Sequence, residues 1–516
     1  MKSNWREAVV NIIENQFVES HISSNFNENL PGNGIAYPAS LHIIDGCAIF
    51  LDRIGGAKKL IAVAQAKTGL FDAIQEEEIL FIDEKPVKIA STSHQNAELL
   101  RSWFPFMKPV AFGRSSFSLG LGDRLGLASP GHLRCLAGTP IRPVLAQQSI
   151  RELNLTARTY SDVLDAASWA VLQEGFHEGF GADGDHLKKP EDIKMALDLG
   201  FSMITLDCSE KIDGSVAAML PVELNERYLK LPEKFRQEME TAYLDMKFTV
   251  GKHEIQFDSK TLQEILLTYG ATLAFIAELY AVYIKQHNQE VDFELSIDET
   301  ATPTTPAAHY FMAAEMQKAG IELCSVAPRF CGEFQKAIDY IGDLTVFEAD
   351  FAVHAAIADH FGYRLSVHSG SDKFSVFPII GQYTHGRVHV KTAGTNWLEA
   401  LRVICRREPD FFRELCLFAL SRFDDATKFY HVTTDLAKIP PVQELTDAEL
   451  ERMLNEPDPR QLLHITYGYL LTDRNLDGNY LFRDRLYEFW NMNEQEYADI
   501  LVGHIGKHIR FLRERI

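Results

Sequence analysis

Eight short apolar runs, each of strand length, alternate with helical stretches between residues 108 and 395, and this rhythm restricts the chain more than any other feature. The runs begin at 109–112, 142–146, 179–182, 202–206, 292–297, 323–327, 364–367 and 387–390. Strands that alternate with helices build parallel sheets, and eight such units argue for a closed (β/α)8 barrel of the α/β class. The last two runs add a second constraint. In Leu365-Ser-Val-His368 and Val388-His-Val-Lys391 apolar and polar residues alternate, so one face is polar although the strand lies within an α/β chain. Such a face is expected to point into the barrel.

A barrel of this size accounts for residues 106–400 of the 516, with about 211–290 read as a largely helical insertion after the fourth strand. A hairpin is expected in that insertion around Phe248 to Phe257, and the insertion is expected to cover the active-site face. Residues 1–105 read as a mixed segment, with short strands within 40–51, 59–64 and 79–82. Residues 401–516 read as helical, broken at Pro440-Pro441 and Pro457.

The charge balance narrows the partners. With 72 acidic residues against 51 Lys and Arg, the formal net charge of −21 opposes contact with nucleic acid or an anionic membrane. No run of about 18 apolar residues marks a membrane span, and the first residues lack signal-peptide order, so a cytoplasmic address is expected. Seven scattered cysteines, none in C-x-x-C spacing, support neither a disulfide scaffold nor a zinc ribbon. A small-molecule substrate is the expected partner, and homo-oligomerisation is left open.

Barrel enzymes place their chemistry at the C-terminal ends of the strands. Those ends are polar here: Asp183-Gly-Asp-His186, Asp207-Cys-Ser-Glu210, Asp298-Glu299, Arg329-Phe-Cys-Gly-Glu333, His368-Ser-Gly-Ser-Asp-Lys373 and Lys391. His186 and His368 are the leading ligands for a divalent cation, zinc or manganese, because a neutral imidazole from each and a carboxylate from another tip make an open catalytic site. Glu333 is the expected third ligand, with Asp207, Glu210 and His354 as competitors. Strand parity turns Asp298 inward, since Phe293, Leu295 and Ile297 share the other face, while Glu299 remains an alternative acid. Arg329, Lys373 and Lys391 are cations suited to an anionic substrate, and Ser369, with Asp372 nearby, completes the expected binding tip. His309 follows a Thr/Pro turn that reads as a helix start. The glycines of 119–126 lack both G-x-G-x-x-G order and a P-loop ending, so no nucleotide cofactor is expected.

These tips, in this order, carry a resemblance. Gly181-Ala-Asp-Gly-Asp-His-Leu-Lys188, Ser296-Ile-Asp-Glu-Thr300 with Pro303-Thr-Thr-Pro306, Ala327-Pro-Arg-Phe330 with Gly332-Glu-Phe-Gln-Lys336, and Val367-His-Ser-Gly-Ser-Asp-Lys-Phe374 resemble the tagaturonate/fructuronate epimerase family over about residues 107–405. The resemblance implies a metal-dependent epimerase of hexuronates on a barrel similar to metal-dependent aldolases, with tagatose 4-epimerisation of free ketohexoses, or a sugar aldolase activity, as alternatives. It implies acid/base roles for Asp185 and the Asp298–Glu299 pair, and metal ligation by His186, Glu333 and His368. The reaction inverts a carbinol carbon β to a ketone, whose C–H enolisation does not reach. Retro-aldol cleavage and re-addition is therefore the expected route. Hydride transfer would need a nicotinamide fingerprint that the sequence does not carry.

Overall fold

The computed structural model describes residues 4–15, 35–298, 300 and 302–516. Eight parallel strands close into a barrel: β1 (Ser118–Gly120), β2 (Arg142–Ser149), β3 (Gly181–Leu187), β4 (Met203–Asp207), β5 (Asp292–Ile297), β6 (Ser325–Pro328), β7 (Arg364–Val367) and β8 (Val388–Lys391). Pairing of β8 with β1, His389 opposite Ser118 and Lys391 opposite Gly120, seals the cylinder.

The expected first strand is corrected. Residues 109–112 cross the N-terminal end of the barrel, where the Asp292 carboxylate accepts the Phe112 and Gly113 N–H groups, both at 2.9 Å, and pairs with Arg364 at 3.3 Å. Val110 is half-exposed there. The true first strand is only three residues long and carries too few apolar side chains to stand out.

Apolar and polar faces divide as the alternation requires. Leu119, Ile204, Leu295, Val326, Leu365 and Val390 face the surrounding helices in one core, whereas Ser118, Gln147, Asp183, Thr205, Glu294, Ser325, Ser366 and His389 are buried inside the barrel. A polar barrel interior is costly unless its groups satisfy one another. Here Thr205 Oγ1 donates within 3.0 Å of Asp183, Ser325 Oγ lies 2.5 Å from Glu294, and Ser118 Oγ meets His389 Nδ1 at 2.8 Å.

Residues 37–91 form a five-stranded antiparallel sheet whose first hairpin turns at Asp45-Gly46, both at positive φ (52° and 67°), the backbone a two-residue hairpin turn favours. One face packs on the helix His94–Trp103 and on Trp169 and Leu172 of the barrel's outer layer. Beyond β8 the chain is helical, with a second core around Trp397, Leu401, Phe412, Leu463 and Trp490. The final helix, Glu494–Arg513, lies along Ser129–Leu136 and Phe377–Thr384.

The insertion contains the expected hairpin, Lys247–Val250 paired with His253–Gln256. Its position differs from expectation. Tyr243, Phe248 and Phe257 pack sideways on Tyr310 and Phe311 of the helix Pro306–Lys318. The segment Ser259–Ile284 is apolar and long enough to cross a membrane by composition, but it lies in this layer with Leu262, Ile265, Leu266, Tyr269, Ile276 and Leu279 buried.

Candidate active site

At the C-terminal mouth of the barrel lies a cavity of about 400 Å³. Strand ends supply Gln147, Ser149, Asp185, His186, Asp298, Arg329, His368 and Lys391 to its lining, and the C-terminal helical region supplies Phe429, Tyr430, His431 and His464. Among the described residues, none of the insertion lines it; the roof is C-terminal.

Three donors converge on its floor. His186 Nε2 and His368 Nδ1 are 3.1 Å apart, His368 Nδ1 is 3.0 Å from Asp298 Oδ2, and His186 Nε2 is 3.8 Å from Asp298 Oδ1. A tetrahedral ion with bonds of about 2.0–2.1 Å has ligand atoms roughly 3.3 Å apart, so these spacings suit three corners of such a site.

The far side of each imidazole is fixed. His186 Nδ1 meets Asp185 Oδ1 at 2.7 Å, and His368 Nε2 meets Glu294 Oε1 at 2.7 Å. A carboxylate accepts only, so each of those nitrogens carries a proton, which leaves the cavity-facing nitrogen as the one that would give its lone pair to a bound cation. His186 reaches this position from a strained backbone: its φ is 54°, and the β3–β4 register shifts between Gly184 and Leu187. That irregularity lets two consecutive residues, Asp185 and His186, both face the mouth. Ser369 (51°) and Asp372 (59°) give the β7 tip the same left-handed kinks.

Beneath the triangle, Lys391 Nζ donates to Asp185 Oδ1 (2.6 Å), Thr205 Oγ1 (2.7 Å) and Asp183 Oδ2 (2.9 Å), and lies 3.1 Å from Glu294 Oε1. Burial disfavours its charge, but Asp183, Asp185 and Glu294 outweigh that and hold the ammonium well above the ordinary lysine range. Burial likewise opposes ionisation of Asp298, yet His368 and His186 hold it well below the usual carboxylate range. Burial and the like charges of Asp185 and Glu294, against the pull of Lys391, push Asp183 up to about 6. Three carboxylates, Asp183, Asp185 and Glu294, thus share one lysine, and with Asp298 beside the histidines the excess negative charge suits a divalent cation.

The structure places several of the expected site residues apart from the triangle. Glu333 lines the cavity but is exposed at its rim, with its carboxylate taken by Gln335 Nε2, and the third corner of the triangle is Asp298. Asp207 faces Lys188 at 3.4 Å, Glu210 is largely exposed, and His354 is buried against His309 at 2.8 Å; none belongs to the triangle. Lys373 and Asp372 do not line the cavity. Lys373 Nζ donates to the carbonyls of Gln335 (2.8 Å), Ile338 (2.6 Å) and Ser371 (3.0 Å), and Asp372 pairs with Arg460. Glu299 lies outside the described residues. His309 sits in a helix capped by Thr305, as its turn implied.

Sequence reasoning missed Arg124, Arg151, Glu152 and Lys336 in the lining. Arg124 and Glu152 pair at 2.8 Å, and Arg124 follows β1 on a loop whose N–H groups at Leu125, Gly126, Ala128 and Ser129 converge on the Asp123 carboxylate. The signal was the glycine-rich run 119–126, readable only once it is placed at a strand end.

A closed barrel with a polar cavity at its mouth, and a histidine–carboxylate triangle that could hold a cation, defines a barrel enzyme of the kind that acts on small polar molecules. The sequence pattern of the tagaturonate epimerase family matches residues 37–512. A tagaturonate/fructuronate epimerase of Thermotoga maritima is 40% identical over 481 residues, 92% of this chain and 96% of that protein. The native crystal structure of the fructuronate-tagaturonate epimerase UxaE from Cohnella laeviribosi superposes with a TM-score of 0.90 at 50% identity, covering 94% of this chain and 98% of the other. A glycerol complex of that enzyme gives 0.89 at 51%, covering 92% and 96%. This chain belongs to the tagaturonate epimerase family and is a carbohydrate epimerase.

Proposed function

We propose that the protein interconverts D-tagaturonate and D-fructuronate by retro-aldol cleavage and re-addition, at a divalent cation held by His186, His368 and Asp298. The observation that carries the reading is the triangle of donors backed by Asp185 and Glu294, joined to the family membership. Bound there, a divalent cation supplies Lewis-acid polarisation of the substrate ketone.

The protein's residues do the rest. A carboxylate at the mouth takes the proton of the β-hydroxyl as the bond between the α and β carbons breaks, its electron pair passing to the ketone-bearing fragment. The other fragment becomes an aldehyde that turns about the bond to its neighbouring carbinol. Re-addition to the opposite face returns the proton and inverts the centre. Asp185 is poorly suited to move that proton, because His186 and Lys391 both engage its Oδ1. Glu333 lines the same cavity with a Gln335 amide on its carboxylate, and we assign it the acid/base role. Arg329 and Ser369 contact the substrate from the β6 and β7 tips. Schiff-base chemistry is disfavoured at Lys391, whose ammonium is held charged among carboxylates.

The test is to incubate metal-loaded protein with tagaturonate, fructuronate, tagatose and fructose and read products by NMR. Interconversion of the two uronates, with exchange of an added labelled three-carbon fragment, supports the reading. Turnover of tagatose and fructose alone would transfer the activity to free ketohexoses.

A further inference from the structure

We infer that Lys336 recognises the carboxylate of the substrate, beside the Arg329 contact from the β6 tip, and that Lys373, Asp372 and Gln335 serve as its mount; this rests on the uronate reading above. Five cations line the cavity: Arg124, Arg151, Arg329, Lys336 and Lys391. Lys391 spends its donors on the barrel interior. Arg124 commits Nε and Nη2 to Glu152 and stacks 3.9 Å above Tyr467. Arg151 is exposed and rests on Tyr430 at 5.0 Å.

Lys336 differs in how firmly its backbone is held. Gln335 Oε1 accepts from Thr433 N–H (3.1 Å), Thr433 Oγ1 (2.9 Å) and Gln461 Nε2 (2.9 Å). The Lys336 carbonyl accepts from Gln461 Nε2 at 3.3 Å, and the Ala337 carbonyl accepts from Arg460 Nε at 2.9 Å. Arg460 in turn pairs with Asp372, while the Lys373 ammonium clamps the carbonyls on either side, at Gln335 and Ile338. Buried charges and amides from the β7 loop and the C-terminal helices therefore converge on residues 335–338, whose charged side chain in the cavity is Lys336. A pre-set cation loses little freedom on binding, which is the condition for a strong, selective anion contact.

The ammonium is well placed for that contact. Lys336 Nζ lies 2.9 Å from Ser369 Oγ, one residue beyond His368 of the triangle. Its charge also acts across the cavity: after Arg124 it helps hold Glu152 below its ordinary value against burial, and it adds to burial and Arg124 in keeping His464 neutral. In a retro-aldol epimerisation the carboxylate belongs to the aldehyde fragment. A fixed cation holding it keeps that fragment in the cavity while its carbonyl turns over.

Steady-state kinetics of metal-loaded K336M, K336R and K373M with tagaturonate test the assignment, with melting temperature and bound metal measured on each protein. We expect the KM of K336M to rise about 10- to 100-fold, with more of the loss in KM than in kcat, and K336R to recover most of it. K373M should shift KM in the same direction through its effect on the mount. A K336M protein with KM within about twofold of wild type overturns the assignment. If wild type itself leaves tagaturonate unchanged, the uronate reading fails first and takes this inference with it.

Discussion

His368 Nδ1, at the end of β7, lies 3.1 Å from His186 Nε2, at the end of β3, although 182 residues separate them in the chain. Each imidazole has its other nitrogen held by a buried carboxylate, so the two cavity-facing nitrogens point at one spot, which Asp298 closes from β5. The proposed shared cation would resolve that convergence.

H186A and H368A should each lose bound metal and lower kcat/KM for tagaturonate by more than about a hundredfold, a loss of roughly 2.7 kcal/mol or more in transition-state stabilisation. Elemental analysis of the purified variants alongside kinetics checks both effects.

D298N and E333Q separate the two carboxylates. D298N should release the metal, because Asp298 is the third corner. E333Q should retain metal at wild-type stoichiometry while kcat falls about 10²- to 10⁴-fold, the range of a removed acid/base group. Metal loss from E333Q with retention in D298N would restore Glu333 to the ligand set.

Lys391 holds together Asp183, Asp185 and Glu294, two of which orient the histidines. K391M should destabilise the fold by about 3–5 kcal/mol, because it leaves buried carboxylates without their cation. Adding D183N should recover part of that loss, which thermal unfolding of the single and double variants will read.

The pH dependence of stability has a defined sign at Glu494, which ties the C-terminal helix to the N-terminal sheet through Lys58 (2.9 Å), Arg53 and Tyr37. Burial raises its pKa, but Lys58, Tyr37 and Arg53 outweigh that and bring it from 4.5 to about 2. The folded state therefore binds that proton less readily than the unfolded state. The contribution is present above about pH 4.5 and is lost as pH falls towards 2. E494Q should melt below wild type at pH 7, and the difference should shrink across that acid window in pH-resolved thermal unfolding.

Much of the barrel was legible because strand alternation is a local signal. Phe293, Leu295 and Ile297 on one face of β5 turn Glu294, Ser296 and Asp298 to the other, and Asp298 does reach the mouth. The first strand was not legible: Ser118–Gly120 is too short and glycine-rich to stand out, and the more apolar run at 109–112 took its place in the reading. Glu333 lies on a loop beyond β6, where the two-residue period no longer sets direction, so the sequence could not place it relative to the triangle. Lys373 had the right charge at the right tip. The carbonyls that clamp its ammonium come from residues 335, 338 and 371, a convergence that spacing along the chain does not encode. The insertion was expected over the mouth, but its aromatic residues pack on those of Pro306–Lys318, leaving the roof to residues 429–431 and 464.

Anomalous diffraction from crystals of active, metal-loaded protein tests the central claim most directly. The account predicts a peak within about 2.0–2.2 Å of His186 Nε2, His368 Nδ1 and an Asp298 carboxylate oxygen. A peak at another set of side chains, or full epimerase activity in crystals whose triangle carries no anomalous signal, would contradict it.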